Sequence, residues 1–562
     1  MTQGEHRPSA VQPPPWTGPH VGRLPRDTGT SRESGPTGSA RTIARLKWRL
    51  WQNGFRRSGA QVLGTLLSIA LSLTLGGATA LLCVASRNAA LADRRTALTL
   101  VAVVASVLAL IAPVMAGGID ETLPVNLLRQ YPIGRRQLLS GLLMAGMVGA
   151  APVGLAIGVL GAVVSSVRSP VGLLLAAVAG IVFFIETLVT SRLLTTLFAR
   201  AMNSRRGRDA AVALVSLAGL SGLVLQVLGR YVASLGPSRL RALGRFSRWT
   251  PPGALGRAMV DGGRGQIGPA VVGLGVGLIG LGAAIALWWW ALSRLDEQDA
   301  SERTAKRPRR QASLFAGIGW LPRTAIGAVA ARQVRSTLRD PRRRVGMIIS
   351  LALGVVFPLI NNAGRGASAT VLFASGASWL LVLSGMNQFG IDGRALWFDL
   401  MSGASPETLL KGRSLGQVIF AVPVVLTASI TLAALTNGWA YVPAALLVGV
   451  ATALAGMGAA GLVSTVAPMR VPEGSNPFAM NTSGQGCIAP ILGLLGMAVI
   501  GILLLPVAVG LILWRDRPLA CAALGLVAVP YCALLWTVAL RLAVRRLIGR
   551  EPELVALVDP RT

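Results

Sequence analysis

Histidine is nearly absent from this chain of 562 residues: His6 and His20 are the only two, and both lie in the N-terminal tail. The rest of the chain therefore has no imidazole to serve as general base or metal ligand. Lysine is almost as scarce. Lys47, Lys306 and Lys411 are the only three, and none follows a glycine. A P-loop needs Gly-Lys-Ser/Thr to reach nucleotide phosphates and magnesium. The chain thus does not bind and hydrolyse ATP by that route; it reads as a non-enzyme without a cofactor, and any ATP that drives it is hydrolysed by another polypeptide. Its four cysteines, Cys83, Cys487, Cys521 and Cys532, lie in or beside apolar runs, with neither metal-like nor disulfide-like spacing. Acids number only 22 against 54 basic residues. That excess suggests nucleic acid at first sight, but most of it sits at the ends of apolar runs, where it sets membrane topology, and no nucleic-acid partner is expected.

What is abundant is apolar surface. Hydrophobic residues make up 52%, charged residues 14%, and the mean hydropathy is +0.60, a composition expected for an all-α polytopic membrane protein. Residues 1 to about 40 are rich in Pro, Gly, Ser, Thr and Arg and read as a disordered tail. The first apolar run begins only near Gln61, so no signal peptide is expected. Twelve runs are long enough to span a bilayer: 60–86, 96–118, 138–167, 170–191, 210–230, 267–293, 343–363, 367–388, 414–436, 439–467, 487–513 and 518–544. With the N terminus inside, the cytoplasmic segments collect 40 of the 54 basic residues, which predicts both termini in the cytoplasm.

The segment Asn387–Ser414, NQFGIDGRALWFDLMSGASPETLLKGRS, lies between two apolar runs yet does not read as a linker. Asp392 is placed to cap a short helix with Leu396, Trp397, Leu400 and Met401 on one face. Ser405-Pro406-Glu407 reads as cap, first helical proline and first-turn acid of the next membrane helix. The stretch Gly117–Gly141, GGIDETLPVNLLRQYPIGRRQLLSG, echoes it, with Asp120 at its start and Leu-Leu-x-Gly at its end. Likewise Ala44–Ser58 and Ala331–Val345 each place a basic amphipathic stretch before a membrane run, read as interfacial helices over 42–58 and 327–344. These echoes predict an internal duplication. It comprises a six-span half over 41–293, a basic linker over 294–326, a second six-span half over 327–545, and a cytoplasmic tail over 546–562.

Other residues carry weaker signals. Glu186 is the one acid well inside a run; it reads as a structural group paired with Arg192 or a neighbouring helix, with proton coupling as the functional alternative. The segment 230–266, with Trp249-Thr250-Pro251-Pro252-Gly253, reads equally as short external helices or as a connecting loop. Trp288, Trp289 and Trp290 read as an interfacial aromatic belt. Pro472–Gly486 reads as a cytoplasmic turn, a plain loop more readily than a second contact surface, and an inside location makes its formal glycosylation sequon at Asn481 irrelevant.

Together the interfacial helix, the 387–414 segment, its echo DETL…YPIGRRQLLSGLL and VPEGSNPF resemble actinobacterial permeases of the second class of ATP-binding-cassette exporters, over roughly residues 41 to 545. The resemblance implies a bacterial plasma-membrane transport subunit that works with a separate ATPase, two copies of which are expected, with self-association of the permease possible. It also implies that the loops after each half's second span dock on that ATPase. Here those loops offer Asp120, Glu121, Arg135 and Arg136 in the first half and Asp392, Arg394, Trp397, Glu407 and Lys411 in the second. The short outer loop Trp514–Pro518 departs from the family pattern, which often has external helices there. Two other classes compete. A twelve-span secondary transporter of the major-facilitator kind is suggested by Gly118, Asp120 and Gly134-Arg135-Arg136, at an Asp-to-Gly spacing that is too long. A membrane-bound transferase would have only Asp93, Asp261 and Asp516 to work with on its outer side.

Overall fold

The computed structural model describes residues 36–53, 55, 59–115, 133–202, 205–302, 319–362, 366–468 and 488–558. Among them every regular element is helical. Eight helices are long and apolar enough to cross a membrane, and up to eleven spans result if each of three bent pairs counts as one. In chain order the helices begin with α1 (Pro36–Asn53), α2 (Gly59–Ala85), α3 (Leu91–Met115), α4 (Arg135–Gly146), α5 (Ala150–Ser166) and α6 (Pro170–Met202). Next come α7 (Arg205–Gly219), α8 (Ser221–Ser234), α9 (Pro237–Ser247), α10 (Pro251–Gly263) and α11 (Ile267–Glu302). They continue as α12 (Ala325–Arg339), α13 (Pro341–Asn361), α14 (Ala367–Leu372), α15 (Ala377–Gly385), α16 (Gln388–Asp392) and α17 (Leu396–Met401). The last six are α18 (Pro406–Thr436), α19 (Val442–Val466), α20 (Ile488–Leu503), α21 (Leu505–Leu513), α22 (Pro518–Leu547) and α23 (Glu551–Val558).

Three predicted spans are bent. The run 138–167 turns by 72° between α4 and α5, 210–230 by 53° between α7 and α8, and 487–513 by 50° between α20 and α21. At the first bend Gly149 has φ +144°, a value that side chains disfavour, so glycine permits the turn. The predicted eighth span, 367–388, is three short helical pieces: α14, a 3-10 turn at Phe373–Gly376, and α15.

Small residues set the closest helix contacts. Gly154 of α5 lies against the Ser72 carbonyl of α2, and Gly76 of α2 against the Gly154 carbonyl, so the two backbones meet with no side chain between them. The amphipathic α1 packs on α4, where a Cβ at Gly141 would stand 2.5 Å from Ile43 Cδ1. The amphipathic α12 packs on α18 in the same manner: a Cβ at Gly412 would stand 2.5 Å from Val329 Cβ. Gly141 and Gly412 are the glycines of the two Leu-Leu-x-Gly stretches.

The helix α7 joins the earlier part of the chain to α13, with Gly219 against Ile349 and Arg344 Nη1 3.2 Å from Asp209 Oδ1. Further along, Arg230 of α8 donates to the Ile360 carbonyl at 2.6 Å and to Asn361 Oδ1 at 3.0 Å.

Several boundaries move. The first interfacial helix runs from Pro36 to Asn53, starting inside the predicted tail. The second ends at Arg339, because Asp340 stops it and caps α13 by accepting from the Arg342 amide at 2.9 Å. Within 230–266 the helical alternative is found: α9 and α10 form there, and α10 is buried against α3, α6 and α11. Trp288 is fully buried and donates to Thr196 Oγ1 at 3.0 Å, so of the three tryptophans expected in the belt only Trp289 and Trp290 are exposed. The predicted C-terminal tail contains α23, whose Leu554 and Val558 are buried.

The glycine contact makes a prediction. Gly154→Leu pushes α5 off α2 and costs about 1–3 kcal/mol, read as a lowered unfolding midpoint of the protein in detergent. Gly77→Leu, at a glycine facing open space, leaves that midpoint unchanged.

Candidate functional site

The segment from Asn387 to Ser414 is folded around a buried arginine. Arg413, in the second turn of α18, retains 2% exposure and sends Nη2 to two carboxylates: Asp392 Oδ2 at 2.5 Å and Asp399 Oδ2 at 2.9 Å. Its Nη1 donates to the Gln388 carbonyl at 3.2 Å, and its guanidinium stacks over the Phe389 ring at 4.6 Å. The same carboxylates serve two more cations. Arg343 of α13 reaches Asp392 Oδ1 at 3.1 Å, and Arg332 of α12 pairs with Asp399 Oδ1. Asp340 stands 3.9 Å from Arg343. Three arginines and three aspartates thus balance, as buried charge requires. Burial pushes the Arg332 guanidinium below its ordinary value, with Asp392 opposing that effect.

Local sequence builds this arrangement. Ser405 Oγ accepts from the Thr408 amide at 3.2 Å and Pro406 occupies the first turn, so α18 starts where its sequence says it should. Gly412 and Gly416 then let α12 approach α18 closely, which brings Arg332 to the carboxylates that Arg413 holds. On the other side the Phe389 amide donates to Ser464 Oγ at 3.0 Å and Gln388 to Gln417 at 3.2 Å. Phe389 and Leu396 share a buried apolar cluster with Leu410, Leu540, Leu547, Leu554 and Val558, so α22 and α23 brace the segment from behind.

What the base hides, the tip displays. Trp397, Phe398 and Met401 are 53%, 65% and 77% exposed, and the two rings meet edge to face at 5.9 Å. Gly403, with φ +73°, turns the chain back toward α18. The tip is therefore an apolar projection on an ion-locked base.

The structure revises several assignments. Asp392 is no helix cap: it ends α16, and its carboxylate bridges Arg343 and Arg413. The expected apolar face of α17 is split, with Leu396 buried and Trp397 and Met401 outward. Glu407 and Lys411 lie at the start of α18 and pair with each other at 2.5 Å. Arg394 sits in the 3-10 turn Gly393–Ala395, and its side chain is outside the described residues, as are Asp120 and Glu121. Arg135 and Arg136 are exposed in the first turn of α4. Glu186 is buried on α6, and its Oε2 has no hydrogen-bond partner among the described residues. Asp399, Arg332, Arg343 and Arg413 were not singled out from the sequence. The available signal is the spacing: Asp392 and Asp399 are seven residues apart, next to the one arginine at the head of an apolar run.

Removing one partner of a buried charge pair costs roughly 3–5 kcal/mol because the other charge is stranded. Asp399→Ala is expected to expose the segment to trypsin at Arg394 within a limited digest that leaves the native chain uncut there. Glu407→Gln, on the exposed pair, leaves the digest unchanged.

Compared with family models, with curated proteins and with solved structures, the chain matches none.

Proposed function

We propose that this chain is the membrane-spanning permease subunit of an ATP-driven exporter in a bacterial plasma membrane, working with a separate ATPase. The observation that carries this reading is the exposed apolar tip of Trp397, Phe398 and Met401 on a base fixed by Arg332, Arg343 and Arg413. In this reading the polar segment that carries the rings lies at the membrane surface, and aromatic anchors on a rigid mount there suit a protein partner. The base also ties that tip to three helices at once: α12, the candidate span α13 and the candidate span α18. A push on the tip therefore moves those helices as a body, the rigid-body coupling by which a partner can drive transport without chemistry in this chain.

In this reading the chain has twelve spans in two halves, each headed by an interfacial helix, with both termini cytoplasmic. The matched contacts Gly141–Ile43 and Gly412–Val329 support the duplication, since each seats an interfacial helix on a Leu-Leu-x-Gly stretch. The first-half stretch Asp120–Arg136 is then the second handle. The cargo is amphiphilic, in keeping with the few charges within the apolar helices.

A second reading has its own support in Glu186, whose enclosed Oε2 suits a group that takes up a proton. One experiment separates the two. The chain is purified together with the product of the adjacent reading frame, which this reading expects to be a P-loop ATPase. The triple variant Trp397→Ala/Phe398→Ala/Met401→Ala keeps its fold and weakens association by roughly thirty-fold or more, the effect of losing an interface hot spot. Unchanged association would sink the docking role. Transport that needs no ATPase, follows a proton gradient and stops in Glu186→Gln would establish the secondary transporter instead.

A further inference from the structure

A second charged locus lies at the other end of α6. Arg168, just before that helix, donates its amide to the Gly263 carbonyl at 2.8 Å, whereas Met202 at the far end leads into α7 and the Asp209–Arg344 pair beside the docking segment. The helix has 33 residues, so about 50 Å separates its ends.

At this locus Arg94 of α3 is fully buried. Its Nη2 bonds the Ser165 carbonyl of α5, while Nε and Nη1 have no hydrogen-bond partner among the described residues. Three more cations, Arg87, Arg168 and Arg264, lie within electrostatic range of it, and all three are exposed. None of the four is paired with a carboxylate among the described residues, although the nearby Arg95 and Arg257 are both satisfied by Asp261, at 2.6 and 3.2 Å. A buried, half-satisfied guanidinium is costly and calls for an anion.

Directly beneath it is an apolar cavity of about 190 Å³ between α2, α3, α5, α6 and α10. Leu98 and Ala162, each one turn inward from Arg94 and Ser165, line its outer end together with Cys83, which also lies in range of Arg94. A void of about 150 Å³ already holds a benzene-sized hydrophobe. On its flank α2 is barely buried by the rest of the chain, so the cavity is reached sideways from the bilayer. A row of cations over an apolar slot open to lipid fits one chemical object.

We infer that this is a binding site for an anionic phospholipid of the surrounding bilayer. Its phosphate is held by Arg87, Arg94, Arg168 and Arg264, and one acyl chain enters the cavity between α2 and α3. The site lies within the first part of the chain, away from any passage between two halves, and does not depend on an ATPase partner. Its occupant neutralises Arg94, a buried cation with no carboxylate partner among the described residues.

The test uses the full-length protein, stripped of lipid in detergent and offered an equimolar mixture of phosphatidylglycerol and phosphatidylcholine, with bound lipid counted by native mass spectrometry. Each arginine near a membrane surface favours anionic lipid by about five-fold, so the native chain is expected to retain phosphatidylglycerol at least about ten-fold over phosphatidylcholine. The variant Arg87→Gln/Arg168→Gln/Arg264→Gln changes only exposed side chains and loses most of that preference. Ala105→Phe fills the cavity and lowers retention of both lipids. In a chain whose only cysteine is Cys83, phosphatidylglycerol slows maleimide labelling and phosphatidylcholine does not. Equal retention of the two lipids by the native chain, or an unchanged preference in the triple variant, overturns the assignment. Displacement of phosphatidylglycerol by palmitate at equal concentration also overturns it, assigning the cations to a free carboxylate.

Discussion

Arg413 stands at the head of a candidate membrane span and retains 2% exposure. A charge so placed needs opposite charge beside it, and that requirement shapes the architecture around it. Two carboxylates must come to it, so Asp392 and Asp399 fold inward. Those carboxylates have capacity to spare, so Arg332 and Arg343 join them from two other helices. The chain between Asn387 and Ser402 then has little freedom left, and its remaining large side chains divide by necessity. Leu396 and Phe389 go under, while Trp397, Phe398 and Met401 go out. Rigidity of the tip is thus a consequence of satisfying one arginine.

Close backbone approach is what allows the network to assemble. Arg332 lies on α12, and α12 can reach the carboxylates only because Gly412 and Gly416 present no side chains to it. The contact between Gly141 and Ile43 seats α1 on α4 in the same way. Van der Waals packing of small residues is the main attraction available between helices in lipid, where apolar burial gives no net drive. The same glycines therefore serve both the fit of the helices and the electrostatics of the site.

Much of this was legible in the sequence, for reasons that can be traced. Hydropathy found the apolar runs because every backbone group in lipid must be bonded internally, which makes spans helical and continuous. Ser405-Pro406 announced the start of α18 because capping is a local interaction. The Asp392 role was misread because a capping carboxylate and a bridging carboxylate look alike in one dimension; only the fold brings Arg343 and Arg413 to it. Asp399 went unnoticed because its partners are 67, or on α18 14, residues away along the chain. The bends after Gly146, Gly219 and Leu503 were invisible to hydropathy, since a run stays apolar whether or not its axis turns. The bracing by α23 was missed because eight residues with two acids at their start look like a tail until Leu554 and Val558 find Leu396.

The two ends of α6 invite one last comparison. Near its C-terminal end the arginines of the 387–414 segment are matched by carboxylates of the same chain. Such pairing costs desolvation and returns rigidity. Near its N-terminal end Arg94 is buried with two nitrogens that have no partner among the described residues, while Asp261, close at hand, is already taken by Arg95 and Arg257. The chain thus had an acid in the neighbourhood and used it elsewhere. A buried cation kept without an internal counterion is destabilising in the isolated chain, and it becomes favourable only when something else supplies the charge. The apolar slot beneath it specifies what else that ligand must carry, namely a hydrocarbon tail. Charge paired within the chain at one end and left over at the other therefore differ in kind: the first holds the chain to itself, and the second is completed only by what the proposed site would bind.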